Sequence, residues 1–315
     1  MNVKIKPIIT KKNKLRVVSL FSGCGGLDYA FHKESDLYDV VYANDFDKDS
    51  CNTYEKYYWF KPVCEDITKI ITVPDCDIMT GGFPCQGFSV ANINRTESDT
   101  RNSLYLELVR LLKLKKPKYF IFENVKGIMS LGDGKVFKMI VSDLEKCGYI
   151  VHTKLFKLKW YGIPQNRERV IFIGIRDDIS KNVMFNWPRE NQTITKTLRD
   201  AIADLPIKYD DRIQHIGTKH KVEITGYMGN RKLDWDKVGP TITGRGGGTG
   251  GPVINVHPSG ERRMTVREYA RIQTFPDDFV FTGSVSSMYR QIGNAVPPKF
   301  SFVLSKIICD INNQL

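Results

Sequence analysis

Residues 15–28 read LRVVSLFSGCGGLD. The first seven are apolar or β-branched apart from Arg16 and Ser19, the composition of a buried strand. The next segment, Ser22-Gly23-Cys24-Gly25-Gly26, is a glycine-rich turn, followed by a helical pattern. Glycines at a strand end let backbone approach a ligand closely, and a helix start offers free N–H groups. A dinucleotide GxGxxG fingerprint requires glycine at position 28, which is Asp28. An ordinary tight strand–helix turn is the alternative reading of the same residues.

The pattern repeats outward. DVVYAND (39–45), CDIMTGG (76–82), KYFIFEN (118–124), YIVHTKLF (149–156) and RVIFIGI (169–175) read as strands, with helical spacing at 47–58, 102–113 and 135–147. Such alternation predicts βαβ units and a mostly parallel, doubly wound sheet of Rossmann type, covered on both faces. Ligands in such sheets bind at the carboxyl ends of the strands. The rhythm fails after about residue 180, where a polar stretch carries GRGGGTGG (244–251), and helical spacing returns at 265–273 and 297–312. The reading is an α/β domain, an irregular insert and a C-terminal helix that returns to the first domain.

Chemistry-bearing residues fall at the predicted strand ends. Asp45 ends the second strand, where an acidic side chain commonly meets ribose hydroxyls. Cys85 follows the strand ending at Gly82, in a loop placed for a nucleophile. The other six cysteines read as inert. Glu123 ends an apolar strand, where burial raises a carboxyl pKa and suits it to donate a proton near neutrality. Arg167 and Arg169 stand two apart before and within a strand and are expected to point the same way, as a fork of donors.

The 315 residues carry 47 Lys plus Arg against 35 Asp plus Glu, a net charge of +12, with 41% hydrophobic residues. That content supports a packed core. No apolar run approaches a membrane span, and MNVKIKPIITKKNKLR has no stretch of signal-peptide length. Seven scattered cysteines without a CxxC pair fit reduced thiols in a cytosol. A basic surplus suggests a polyanionic partner. Half of it, however, lies in residues 1–16, which hold six basic groups and no acidic ones, whereas residues 17–175 hold 21 basic and 20 acidic.

Taken in order, these segments resemble the DNA (cytosine-5) methyltransferase family of bacterial, type II restriction–modification kind. The motifs that carry the resemblance are FSGCGGLD (21–28), NDFD (44–47), EDI (65–67), GGFPCQGFS (81–89), RNSLYLE (101–107), FENV (122–125), QNRERV (165–170), RRMTVREYARIQTFPDDF (262–279) and QIGNAVPP (291–298). The resemblance implies an S-adenosyl-L-methionine-dependent methyltransferase fold with a smaller irregular target-recognition domain. Its expected organisation is a basic tail (1–14), a catalytic cofactor-binding domain (15–182), a target-recognition domain (183–262), a connection (263–293) and a C-terminal helix (294–315). It implies methyl transfer to C5 of a flipped-out cytosine in a short double-stranded DNA sequence, through a covalent bond from Cys85 to C6. Glu123 would stabilise protonated N3, with Arg167 and Arg169 orienting the base and catalytic groups. Implied cofactor contacts are Phe21, Ser22, Gly23, Gly25, Gly26, Asp45, Phe46, Asp66, Pro84, Leu104 and Asn294. Implied DNA contacts are Ser89, Asn92 and Arg95 in a closing loop (86–100), and Tyr227, Asn230, Arg231, Thr241 and Arg245 in the insert. Arginine is the usual bidentate reader of guanine, so a target containing G is expected.

The resemblance further implies no metal, a companion restriction endonuclease, a monomer, and a cytoplasmic, nucleoid-associated setting in bacteria. The rival readings are an RNA (cytosine-5) methyltransferase, a non-catalytic DNA-binding relative, an exocyclic amino methyltransferase and a nicotinamide oxidoreductase. The sizeable insert argues against the first, and intact Cys85, Glu123 and Arg167 against the second. The third lacks its Pro-Pro-aromatic motif, since the only Pro-Pro precedes Lys299. Asp28 argues against the fourth.

The basic tail adds phosphate attraction that salt screens and sequence does not affect. Deleting residues 1–13 is expected to weaken DNA binding at low salt and leave the methylated sequence unchanged. Filter binding over a salt series with methylation mapping checks this, and a changed target would contradict it.

Overall fold

The computed structural model describes residues 14–84, 103–193, 195–206, 210, 213, 230–244 and 254–315. Seven strands form its central sheet: β1 (Leu15–Leu20), β2 (Tyr38–Asp45), β3 (Val63–Cys64), β4 (Ile78–Gly81), β5 (Tyr119–Val125), β6 (Tyr149–Lys157) and β7 (Glu168–Arg176). Their order is β3-β2-β1-β4-β5-β7-β6. Neighbours from β3 to β5 are parallel, whereas β7 is antiparallel to both β5 and β6. The reversal has a local cause. A helix, α4 (Lys135–Glu145), carries the chain from β5 to β6, but only a 3-10 turn (Leu158–Tyr161) and a short loop separate β6 from β7. A connection that short returns the chain antiparallel.

Strand periodicity divides the core. Val17, Ile121, Ile171 and Ile173 face one side, where they meet α9 (Pro298–Asn312) through Phe300, Leu304, Ile307 and Ile308. Val18, Phe120, Phe122 and Phe172 face the other. There they meet Leu108, Leu111 and Leu112 of α3 (Ser103–Lys115), and Ile140 and Leu144 of α4. Adjacent residues therefore serve opposite layers, as the pleat requires. Helix α1 (Tyr29–Lys33) lies against α9, and α2 (Lys48–Tyr58) starts on Asp47, whose side chain accepts from Ser50 N.

A third apolar cluster lies outside the sheet layers. It joins α6 (Leu198–Ile202), α7 (Val266–Ile272) and α8 (Val285–Asn294) with Phe275, Phe279, Phe281 and Ile242. The polar stretch also contains a two-stranded parallel pair, β8 (Asn230–Lys232) and β9 (Ile254–Val256). The sequence reading did not anticipate β3, α6, α8, this pair or the one-turn helix α5 (Asp177–Ser180) that follows β7. β3 has two residues, whereas α8 (VSSMYRQIGN) carries Val285, Met288, Tyr289 and Ile292 at helical spacing, a signal that was there to be read.

The strand order reverses direction of growth at β1, between β2 and β4. The carboxyl ends of β1, β2, β4 and β5 thus converge on one crevice, where ligands of open α/β sheets bind. Centrally, Gly174 in β7 is paired with Phe120 in β5. A Cβ built on Gly174 would lie 1.9 Å from the Phe120 ring, so the ring occupies the space a side chain would need. Gly174→Ala is expected to destabilise the protein by about 1–3 kcal/mol, an ordinary overpacking cost. Urea denaturation measures this, and an unchanged midpoint would show that the ring moves aside freely.

Candidate active site

β1 delivers the chain to Phe21, a non-glycine residue at φ 53°, and then to Gly23 at 54° and Gly25 at 88°. A left-handed Phe is a strained feature that surrounding structure must hold. The glycines differ in what they face. Nothing lies within 4 Å of a Cβ built on Gly23, whereas one on Gly25 would strike Tyr58 at 2.3 Å and one on Gly26 would strike Val296 O at 2.2 Å. Gly25 and Gly26 are therefore required by the chain's own packing, and Gly23 opens on the crevice.

The turn is held by β2. Ser22 N and Oγ both donate to Asn44 O, at 2.9 and 3.2 Å. Asp45 Oδ2 accepts from Gly23 N at 2.8 Å and its Oδ1 from Asp47 N at 2.9 Å. Burial raises the Asp45 carboxyl pKa, and those amides oppose the rise. Asp45 thus ties the glycine turn to the start of α2, a role the sequence reading missed. Phe46, the next residue, is 74% exposed. Asp66 caps the following 3-10 turn, with Oδ1 accepting from Thr68 N and Oγ1, at 2.9 and 2.8 Å. Leu104 packs partly buried against the second core layer.

Behind the turn lies a fully buried Asp28. Ser19 Oγ donates to its Oδ1 at 2.8 Å and Tyr54 OH to its Oδ2 at 2.9 Å. With the Tyr54 proton so committed, His32 Nε2, 2.8 Å from Tyr54 Oη, is the donor in that contact. Burial pushes the Asp28 carboxyl up to about 6 and the His32 imidazole down to about 4.

β4 ends in Gly81, and Gly82-Phe83-Pro84 leads to Cys85, which lies outside the described residues. This approach is fixed by β5. Asn124 Nδ2 donates to Phe83 O at 3.0 Å, and Glu123 Oε2 would lie 3.4 Å from a Cβ on Gly82. Pro84 is exposed. The Glu123 carboxylate has a cationic partner. Its Oε1 stands 2.5 Å from Arg169 Nε, and both side chains are 11% exposed. In the β5–β7 register Glu123 faces Ile171 and Val125 faces Arg169, so the ion pair is diagonal on one face.

The expected fork of Arg167 and Arg169 is corrected. Arg167 precedes β7 and is buried, and its guanidinium is taken up by backbone carbonyls. It donates to Ile242 O at 2.8 Å and to Gly293 O and Ala295 O at 3.0 Å. Burial, then repulsion from Arg169, lowers its pKa, with Glu123 opposing. Gln165 Nε2 donates to Gln273 Oε1, its Oε1 accepts from Ile242 N at 2.9 Å, and Gln273 Nε2 donates to Ile292 O and Ala295 O at 2.9 and 2.7 Å. Both glutamines were read only as letters of motifs.

Asn294 is exposed at the end of α8, and a Cβ on Gly244 would overlap its Oδ1. Thr241 Oγ1 donates to Asn166 O. Arg231 is exposed on β8, whose first residue is Asn230. Ser89, Asn92, Arg95, Tyr227 and Arg245 lie outside the described residues. Among the described residues no cluster of His, Cys, Asp and Glu could hold a metal ion, and no helix is long and apolar enough to cross a membrane.

The family described as C-5 cytosine-specific DNA methylase matches residues 15–310. The chain is 35% identical to the Type II methyltransferase M.NgoFVII of Neisseria gonorrhoeae, covering 99% of this chain and 91% of that one. It is 37% identical to M.BsuRI of Bacillus subtilis, covering 93% and 79%. A candidate DNA modification methyltransferase encoded within an Escherichia coli prophage superposes with a TM-score of 0.77 at 25% identity, covering 95% of this chain and all of that one.

The buried Asp28 and His32 give opposite pH dependences. Asp28 binds its proton more tightly folded, so its contribution is present below about pH 4 and is lost as pH rises through about 6. His32 binds its proton less tightly folded, so its contribution is present above pH 6.5 and is lost as pH falls towards about 4. Each spans roughly 3 kcal/mol at most. Between pH 4.5 and 6.5 the two nearly cancel. Asp28→Asn is expected to gain stability with rising pH across that window and His32→Gln to lose it, as read by denaturant midpoints. Parallel profiles for the two variants would refute the assignment.

Proposed function

The chain belongs to the C-5 cytosine-specific DNA methylase family and is a DNA (cytosine-5-) methyltransferase, and from that membership we propose how its residues work. The donor is S-adenosyl-L-methionine, the acceptor is a cytosine flipped out of a short double-stranded sequence, and the intermediate is covalent through Cys85. The observation that carries this reading is the convergence of the Gly82–Pro84 approach, the Glu123–Arg169 pair and the open Gly23 turn at adjacent strand ends.

The residues present fit the donor. Gly23 leaves space above the turn, exposed Phe46 offers a ring face for adenine, and Asp45 and Asp66 offer carboxylate oxygens nearby. Phe21, Ser22, Gly25, Gly26, Pro84, Leu104 and Asn294 complete the proposed contacts, Gly25 and Gly26 through backbone. When bound there, S-adenosyl-L-methionine supplies an electrophilic sulfonium methyl group.

C5 of cytosine is a poor nucleophile. Addition of the Cys85 thiolate to C6 makes C5 enamine-like, while Glu123 holds a proton at N3. Arg169 fixes the Glu123 carboxyl against Gly82, three residues before the nucleophile, and Arg167 holds the surrounding backbone. After methyl transfer, loss of the C5 proton and expulsion of Cys85 restore the ring. Flipping the base costs a few kcal/mol, which contacts from Ser89, Asn92 and Arg95 offset. Tyr227, Asn230, Arg231, Thr241 and Arg245, in a target-recognition segment of residues 183–262, contact bases or phosphates. Residues 263–293 connect that segment to a C-terminal segment (294–315), whose helix α9 (Pro298–Asn312) returns to the catalytic domain of residues 15–182.

The Type II relatives support a restriction–modification setting. In this reading the chain acts as a monomer in the bacterial cytoplasm, at the nucleoid, alongside a cognate endonuclease.

Mapping 5-methylcytosine in DNA from a host expressing the protein tests the reaction and gives the target. Glu123→Gln is expected to lower kcat by about 10²–10⁴-fold, the range for a lost proton donor. Cys85→Ser is expected to abolish transfer. DNA containing 5-fluorocytosine, which has no proton to lose from C5, should remain covalently attached to the wild type. Transfer by Cys85→Ser, or no trapped complex, would overturn the covalent mechanism.

A further inference from the structure

Six cysteines were expected to be inert, yet two of them meet beside the proposed adenosine contacts. Cys51 is buried in the first turn of α2, and Cys64 ends β3 and is exposed. The β2–β3 register sets Cys64 opposite Asp45. The two thiols donate to consecutive carbonyls, Cys51 Sγ to Asp45 O at 3.4 Å and Cys64 Sγ to Phe46 O at 3.9 Å. Burial, and then the hydrogen-bonded Cys64 thiol, push the Cys51 thiol pKa well up. Solvent therefore reaches Cys64 first, and Cys51 stands behind it as a protonated neighbour.

We propose that Cys51 and Cys64 are a thiol–disulfide pair, oxidised by low-molecular-weight disulfides, whose closure weakens S-adenosyl-L-methionine binding. The consequence for binding rests on the reading of Asp45 and Phe46 as cofactor contacts. The Cys64 thiolate attacks one sulfur of an external disulfide, forming a mixed disulfide and releasing one thiolate. Cys51, its proton lost to solvent, then attacks the Cys64 sulfur and expels the second thiolate. Two protein thiols lose two electrons and the external disulfide gains them. An S–S bond of about 2.05 Å draws the sulfurs together, and they must leave the Asp45 and Phe46 carbonyls to form it. The start of α2 and the end of β3 then shift around the residues proposed to hold ribose and adenine. The high pKa of Cys51 makes the closing step faster at higher pH.

The test treats the full-length reduced protein with oxidised glutathione at pH 7 and pH 8.5. Denaturing alkylation and peptide mass mapping read the thiols, and calorimetry reads S-adenosyl-L-methionine binding. A peptide linking Cys51 to Cys64 is expected, formed faster at pH 8.5 and removed by dithiothreitol. Its formation should raise the cofactor Kd at least tenfold. Cys64→Ser, a change at an exposed position, should keep its cofactor Kd under oxidation. Glutathione retained on Cys64 without the link, or a link that leaves Kd unchanged, overturns the proposal. A reduced protein that binds no S-adenosyl-L-methionine overturns the cofactor reading and this consequence with it. The peptide map separates that failure from a failure of the two thiols to pair.

Discussion

The buried guanidinium of Arg167 is the constraint on which the arrangement depends. Taking a guanidinium out of water is costly unless its donors are satisfied. Here three carbonyls from two distant segments, Ile242, Gly293 and Ala295, converge on it. Gln165 and Gln273 repeat the tie through side-chain amides, joining the same segments. The approach to β7, the Ile242 segment of the irregular insert, the end of α7 and the α8–α9 junction are thus locked at one point. A neutral apolar residue at position 167 would take the Arg167 donors from Ile242 O and Gly293 O and leave Ala295 O with Gln273 Nε2 alone, so the site demands a long side chain with several N–H groups.

That lock bears on the crevice from behind. Val296, one residue beyond the last of those carbonyls, presents its own carbonyl to Gly26 of the glycine turn. Asn294 in the same junction lies against Gly244 at the start of the glycine-rich loop. The glycine turn after β1 and the start of the 244–251 glycine-rich stretch are therefore held by neighbouring residues of one junction. Close backbone approach explains why glycine stands at positions 26 and 293, and the Asn294 side chain fills the space at position 244.

Much of this was legible in the sequence. The alternation of strand and helix gave the sheet, and apolar runs ending in Asp45, Gly82 and Glu123 gave the strand ends where chemistry gathers. Other features were hidden because their signal is not periodic. The pairing of Glu123 with Arg169 depends on an antiparallel diagonal between β5 and β7. The anchoring of Phe83 O by Asn124 depends on β4 lying beside β5. The meeting of Cys51 and Cys64 depends on a strand of two residues, too short for any pattern to announce.

The sequence by itself determined the layers and the order of the motifs. Hydrophobic periodicity dictates which face each segment must bury, and that is a local property of the chain. Only the tertiary structure decided which charged groups are partners and which are tethers. Arg167 and Arg169 are the same residue type two positions apart, yet one is sealed among carbonyls and the other faces a carboxylate. The difference is set by what comes near each guanidinium in space, from residues 123, 242, 293 and 295, and burial makes each pairing obligatory.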